Sequence, residues 1–184
     1  MKVLLTSAGL QTDVIKDLFL KLLPKQPQEI KALFIPTAAV SADAIAVLPK
    51  CMNDLLKCGI QNKNITVYDL HLAMSYADLK QFDVVYICGG DTKYLLKRMN
   101  EQGFNRVFKV YIQEGGVYVG VSAGSIIAAG NLENNLGLLS CRLNVHCADG
   151  HKAGDLPVLN GQQICLTDNQ AIYLTDFNRA GVVE

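Results

Sequence analysis

The stretch Val117-Tyr118-Val119-Gly120-Val121-Ser122-Ala123-Gly124-Ser125 sets one serine between two glycines, after an apolar run and before a series of small residues. A strand that turns sharply into a helix needs this order. Small residues at Gly120, Ala123 and Gly124 let the strand and the helix approach without a clash. The serine hydroxyl then points off the sheet edge, with the amides and dipole of the helix N-terminus behind it. Gly-x-Ser-x-Gly in this setting is a nucleophile elbow, and Ser122 is the candidate nucleophile. A serine that merely caps a helix would not require both flanking glycines.

A second loop, Ile87-Cys88-Gly89-Gly90-Asp91-Thr92, also follows an apolar run. Paired glycines there bring backbone N–H groups close to a ligand, so the Gly90 and Ala123 amides are candidates for an oxyanion hole. The bland alternative is a tight turn with Asp91 or Thr92 as helix N-cap.

A serine nucleophile needs a base, and the chain has three histidines. His71 precedes the elbow in a connecting segment and suits a surface role. His146 follows a short apolar run, Leu143 to Val145, that could return it to the sheet edge; it is the favoured base, with His151 in reserve. The orienting acid is open. Glu133 is the one carboxylate between Ser122 and His146, while Asp149, Asp155, Asp168 and Asp176 follow His146. Spacing does not choose among them, because such an acid is recognised by geometry; a Ser-His dyad is the remaining option.

These residues need a scaffold, and the chain has the pattern of one. Apolar runs at Val3 to Thr6, Ala32 to Ile35, Ile65 to Tyr68, Val84 to Cys88 and Val117 to Val121 read as strands. Helical periodicity lies between them, at Asp13 to Leu23, Ala42 to Cys58 and Thr92 to Glu114, the last broken near Gly103. A short small-residue helix is expected at Ile126 to Ala129. Continuous apolar strands separated by helices predict an α/β fold with a parallel sheet covered on both faces. Reactive loops then fall at the carboxyl ends of the strands, here Thr6 to Gly9, Pro36 to Ala39, Gly89 to Thr92 and Gly120 to Gly124. Residues 131–184 are less regular, with short strands expected near Leu143 to Val145, Ile164 to Leu166 and Ile172 to Leu174. Without repeats or linkers, residues 1–184 read as one domain.

Composition narrows the function classes. The chain has 184 residues, half of them hydrophobic, enough to bury a core without metal or disulfide support. Seventeen basic residues balance 17 acidic ones, and the Lys and Arg residues are scattered, which argues against nucleic acid as a partner. The N-terminal apolar run is too short for a signal-peptide core, and no stretch approaches membrane-span length, so the cytoplasm is the expected location. Six cysteines without a CxxC pair fit reduced thiols, with Cys51, Cys58, Cys88 and Cys165 in apolar surroundings.

At this level of detail the sequence resembles peptidase family S51, which includes dipeptidase E and the cyanophycinases. The resemblance rests on Gly89-Gly90-Asp91-Thr92 and Gly120-Val121-Ser122-Ala123-Gly124. It extends to Leu4-Leu5-Thr6-Ser7, Phe34-Ile35-Pro36-Thr37-Ala38 and Asn169-Gln170-Ala171. It implies a three-layer αβα sandwich of the class I glutamine amidotransferase-like type, with a mostly parallel sheet. It also implies serine-dependent hydrolysis of small peptides, with Ser122 as nucleophile and Gly90 at the oxyanion hole, and no cofactor or metal. Asn144-Val145-His146-Cys147 resembles the family's histidine segment. The family's acid commonly lies between serine and histidine, a span that is shorter here, and this carries Glu133 over as the acid.

Three other readings compete. A ligand-binding or regulatory relative could keep the fold with a degenerate triad; the shortened Ser-to-His span favours it. Cys141, His146, Cys147 and His151 have zinc-binding chemistry but match no common zinc spacing. Ester or lipid hydrolysis would call for an HGGG-type oxyanion motif, which the sequence lacks.

Overall fold

The computed structural model describes residues 1–156, 162–176 and 179–184. Among the described residues, ten strands and six α-helices run in the order β1 (Lys2–Thr6), α1 (Asp13–Leu22), β2 (Ala32–Ile35), α2 (Ala42–Lys57), β3 (Ile65–Val67), α3 (Tyr76–Leu79), β4 (Val84–Ile87), α4 (Thr92–Glu101), α5 (Phe104–Gln113), β5 (Val117–Val121), α6 (Ala123–Ile126), β6 (Arg142–Asn144), β7 (Gly154–Leu156), β8 (Gln163–Cys165), β9 (Ala171–Asp176) and β10 (Arg179–Val183).

Eight strands form one sheet in the order β3-β2-β4-β5-β1-β9-β10-β7. The first five are parallel, and β9, β10 and β7 extend the sheet through antiparallel pairs. β6 and β8 form a separate parallel pair. The result is an α/β fold with a large, mostly parallel sheet flanked by helices.

Side chains alternate across a strand, so each continuous apolar run supplies two cores. Val3, Leu5, Leu33, Ile35, Val85, Ile87 and Tyr118 face one side and pack with Leu95, Met99, Phe104 and Phe108 of α4 and α5. Leu4, Phe34, Val84, Tyr86, Val117 and Val119 face the other, against Ile15 and Phe19 of α1 and Cys51 and Leu55 of α2. Buried Asp54 ties α2 to this second layer, its Oδ2 accepting from the Leu10 amide at 2.9 Å and the Tyr86 hydroxyl at 2.7 Å. Burial pushes the Asp54 carboxyl above the usual carboxylate range against these bonds.

Gly103, at φ 66°, separates α4 from α5, as the break in the helical pattern predicts. The elbow helix begins at Ala123 rather than Ile126, directly after Ser122. Short α3 and strands β7 and β10 are additions to the expected pattern. Among the described residues no helix is long and apolar enough to cross a membrane.

Candidate active site

The carboxyl ends of β1, β4 and β5 meet at Ser122. Its backbone stands at φ 49° and ψ −108°, a region a residue with a side chain rarely occupies. Hydrogen bonds hold it there. Ser122 N donates to Thr6 O at 3.0 Å, and Ser122 O accepts from Ser125 N at 2.8 Å and Ile126 N at 2.9 Å. Ser125 adds a buried hydroxyl bond to Thr6 O at 2.7 Å.

The two elbow glycines are demanded by contact. A Cβ on Gly120 would lie 2.4 Å from Gly124 O, and one on Gly124 would lie 2.2 Å from Ile87 O. Neither backbone oxygen can yield without moving α6 or β4. The Gly89-Gly90 loop packs as closely. Gly90 has φ 135°, and a Cβ there would meet Ala38 O at 2.0 Å. Asp91 is the N-cap of α4, accepting from Tyr94 N at 2.9 Å. Ala123 opens α6, so its amide belongs to a first helical turn, where amides have no intrahelical acceptor.

His146 reaches Ser122 from the segment after β6. Its Nε2 lies 2.9 Å from Ser122 Oγ, and its Nδ1 lies 2.6 Å from Asp168 Oδ1. Ser7 Oγ, at the end of β1, also donates to Asp168 Oδ1 at 3.0 Å. Partial desolvation pushes the Asp168 carboxyl up. The hydrogen bonds from His146 and Ser7, with the charges of His146 and Lys50, outweigh this and hold it below the usual range. The carboxylate is therefore ionised at neutral pH and can only accept. That fixes the hydrogen-bond sense: Nδ1–H donates to Asp168, leaving Nε2 to accept from the serine hydroxyl.

The acid position corrects the expectation built on Glu133. Glu133 is exposed and lines a different surface hollow with Lys93, Lys97, Asn100 and Glu101. It sits in the turn region between α6 and β6, and the carboxylate beside His146 comes from the turn before β9 instead. Asp149 is exposed, and Asp155 in β7 accepts from Tyr173 Oη at 3.3 Å. The side chain of Asp176 lies outside the described residues. The signal for Asp168 was its place immediately before Asn169-Gln170-Ala171, the stretch that carries the resemblance near the end of the chain.

The other histidines point elsewhere. His151 Nδ1 accepts from Cys165 N at 3.1 Å, and His71 pairs with Asp69 at 3.2 Å on the surface. Cys51, Cys58, Cys88 and Cys141 are buried, while Cys147 and Cys165 are half-buried; all six are free thiols. Among the described residues, no group of three or more His, Cys, Asp or Glu side chains converges to hold a metal ion.

A cleft of about 280 Å³ opens over Ser122. Gly89 and Gly90 form one wall, Val47 and Leu48 of α2 another, and Lys50 supplies an ammonium group.

Comparison with known proteins gives the family and the fold. The sequence profile of peptidase family S51 matches residues 3–137. An uncharacterized peptidase of Pasteurella multocida is 29% identical over 100 residues, covering 54% of this chain and 48% of that protein. Peptidase E of Shewanella amazonensis is 30% identical over 139 residues, covering 66% of this chain and 56% of that protein. The chain thus spans about half the length of the curated relatives it matches. The fold is also that of a putative peptidase E protein from Listeria monocytogenes, with TM-score 0.73 and 20% identity over 100% of this chain and 98% of that one. The matched span takes in the Gly89-Gly90 loop and the whole elbow, and most of the chain lies within it: this protein belongs to peptidase family S51.

Proposed function

We propose that the chain is a serine-type peptidase acting on small peptides, with Ser122 as nucleophile, His146 as base and Asp168 as the orienting carboxylate. The observation that carries this reading is the unbroken line from Ser122 Oγ through the imidazole to Asp168 Oδ1. Ser122 Oγ attacks the scissile carbonyl as His146 Nε2 takes its proton, and ionised Asp168 stabilises the imidazolium that forms. The Gly90 and Ala123 amides receive the oxyanion. His146 then protonates the leaving amine, and water repeats the sequence on the acyl-enzyme. A cleft of about 280 Å³ suits a ligand of dipeptide size. The same reading places the protein in the cytoplasm, where six free thiols stay reduced.

The test is intact-mass spectrometry after treatment with a fluorophosphonate, followed by hydrolysis assays on dipeptides. Wild type should gain one adduct, and Ser122→Ala should gain none while remaining folded. A folded wild type that takes up no reagent would assign the chain to the ligand-binding reading instead.

A further inference from the structure

Ser7 stands one covalent step from Thr6, whose carbonyl anchors Ser122, and it is completely buried. Its hydroxyl makes two bonds of opposite sense. It donates to Asp168 Oδ1 at 3.0 Å and accepts from the backbone amide of His146 at 2.8 Å. Neither bond can reverse, because an amide N–H only donates and an ionised carboxylate only accepts. A single hydroxyl therefore fixes both partners of the nucleophile at once.

Each bond has a distinct consequence. The first points the carboxylate: Oδ1 is the same oxygen that His146 Nδ1 reaches, so Ser7 and the imidazole hold it from two directions. The second holds a backbone. His146 has φ 58°, a left-handed conformation that a residue with a side chain adopts only when its surroundings impose it. The Cys147 amide bond to Leu166 O, at 3.0 Å, secures the next residue, and the Ser7 hydroxyl secures His146 itself. The main chain reinforces the arrangement, since Ser7 N donates to Gln170 O at 3.3 Å in the turn that carries Asp168.

We infer that Ser7 is a positioning residue of this site, a fourth member that locks the carboxylate and the histidine backbone to the end of β1. The inference rests on the serine chemistry proposed above. Ser7 borders the cleft, but both bonds of its hydroxyl go to Asp168 and His146, and it acts through them.

Its test is a double-mutant cycle read by the rate of fluorophosphonate labelling of Ser122, with thermal unfolding followed in parallel. Ser7→Ala should slow labelling about 10–100-fold, and Asp168→Ala about 10³-fold or more. In Asp168→Ala the bond to the carboxylate is already gone and only the bond to the His146 amide is left to lose, so adding Ser7→Ala there should cost clearly less than Ser7→Ala costs alone. A purely structural serine would instead multiply its full loss onto Asp168→Ala. Ser7→Cys, close to serine in size but a weak donor and acceptor, covers the case in which Ser7→Ala does not fold; it should slow labelling about tenfold. Labelling of Ser7→Ala or Ser7→Cys within twofold of wild type would overturn the inference, as would full multiplication in the cycle. A wild type that does not label at all defeats the serine reading first, which keeps the two failures distinct.

Discussion

Ser122 and His146 both hold positive φ, at 49° and 58°, and both are held by hydrogen bonds from neighbouring elements. Strain imposed in this way keeps the hydroxyl and the imidazole facing each other before any substrate arrives. Asp168 adds a pH signature. Its folded carboxyl is held below the ordinary value of 3.8, so the unfolded chain binds that proton more readily. The stabilisation is fully present above the unfolded value and is lost as pH falls through the lower, folded one. With 59% of the Asp168 side chain exposed, solvent screens the pair and the effect is small. Thermal midpoints of wild type and Asp168→Asn should differ by on the order of 2 °C near pH 6. The gap should hold down to about pH 4 and close only as pH falls further, through the lower, folded value. A gap that stays constant through that range would show that the ionised carboxylate contributes no stability. Ser122 was legible in the sequence because an elbow needs glycines on both sides. Asp168 was not, because an orienting carboxylate is defined by where a turn places it.

His146 reaches Ser122 because β6 is braced against the segment that leaves α6. The Asn131 side chain mimics a neighbouring strand, donating to Leu143 O at 2.9 Å and accepting from Leu143 N at 2.8 Å. On its other side β6 pairs with β8, in register Asn144↔Cys165. His146 thus stands two residues beyond a strand gripped from both sides. Asn131→Ala removes both bonds and leaves the strand amide and carbonyl to find other partners. It should destabilise the chain by about 1–3 kcal/mol in denaturant titration and slow Ser122 labelling. Unchanged stability together with unchanged labelling would show that β8 alone positions β6. The parallel strands were readable because burial on both faces makes them continuous apolar runs. β7 and β10 were not: Gly154-Asp155-Leu156 and Arg179-Ala180-Gly181-Val182-Val183 form the antiparallel margin of the sheet and carry little apolar pattern. The early start of α6 was hidden as well, since the backbone jump at Ser122 leaves no mark in hydropathy.

The family match ends at residue 137, while His146 and Asp168 lie beyond it. Ser122 and the glycine loops around it therefore belong to the matched part, and His146 and Asp168 to the remainder. That remainder is also structural. β9 pairs with β1 along Val3↔Leu174 to Thr6↔Ala171, so it covers the edge of the very strand whose end holds Ser122. Leu143, Ile164, Leu166, Ile172, Leu174 and Val182 are all 2% exposed or less, and all belong to one core with the α4 and α5 side chains. Burying a Val, Leu or Ile side chain contributes roughly 1.5–3 kcal/mol, so these six supply roughly 9–18 kcal/mol. The net stability of a whole domain is only about 5–15 kcal/mol. A chain cut after Leu138 keeps the elbow and the Gly89-Gly90 loop but loses these side chains and bares an apolar edge strand. It should show no cooperative thermal transition by circular dichroism, tend to aggregate, and fail to label at Ser122. A cut chain that melted cooperatively and still took the reagent at wild-type rate would mean that the elbow activates its serine without His146 and Asp168, and the division of labour between the two parts of the chain would have to be redrawn.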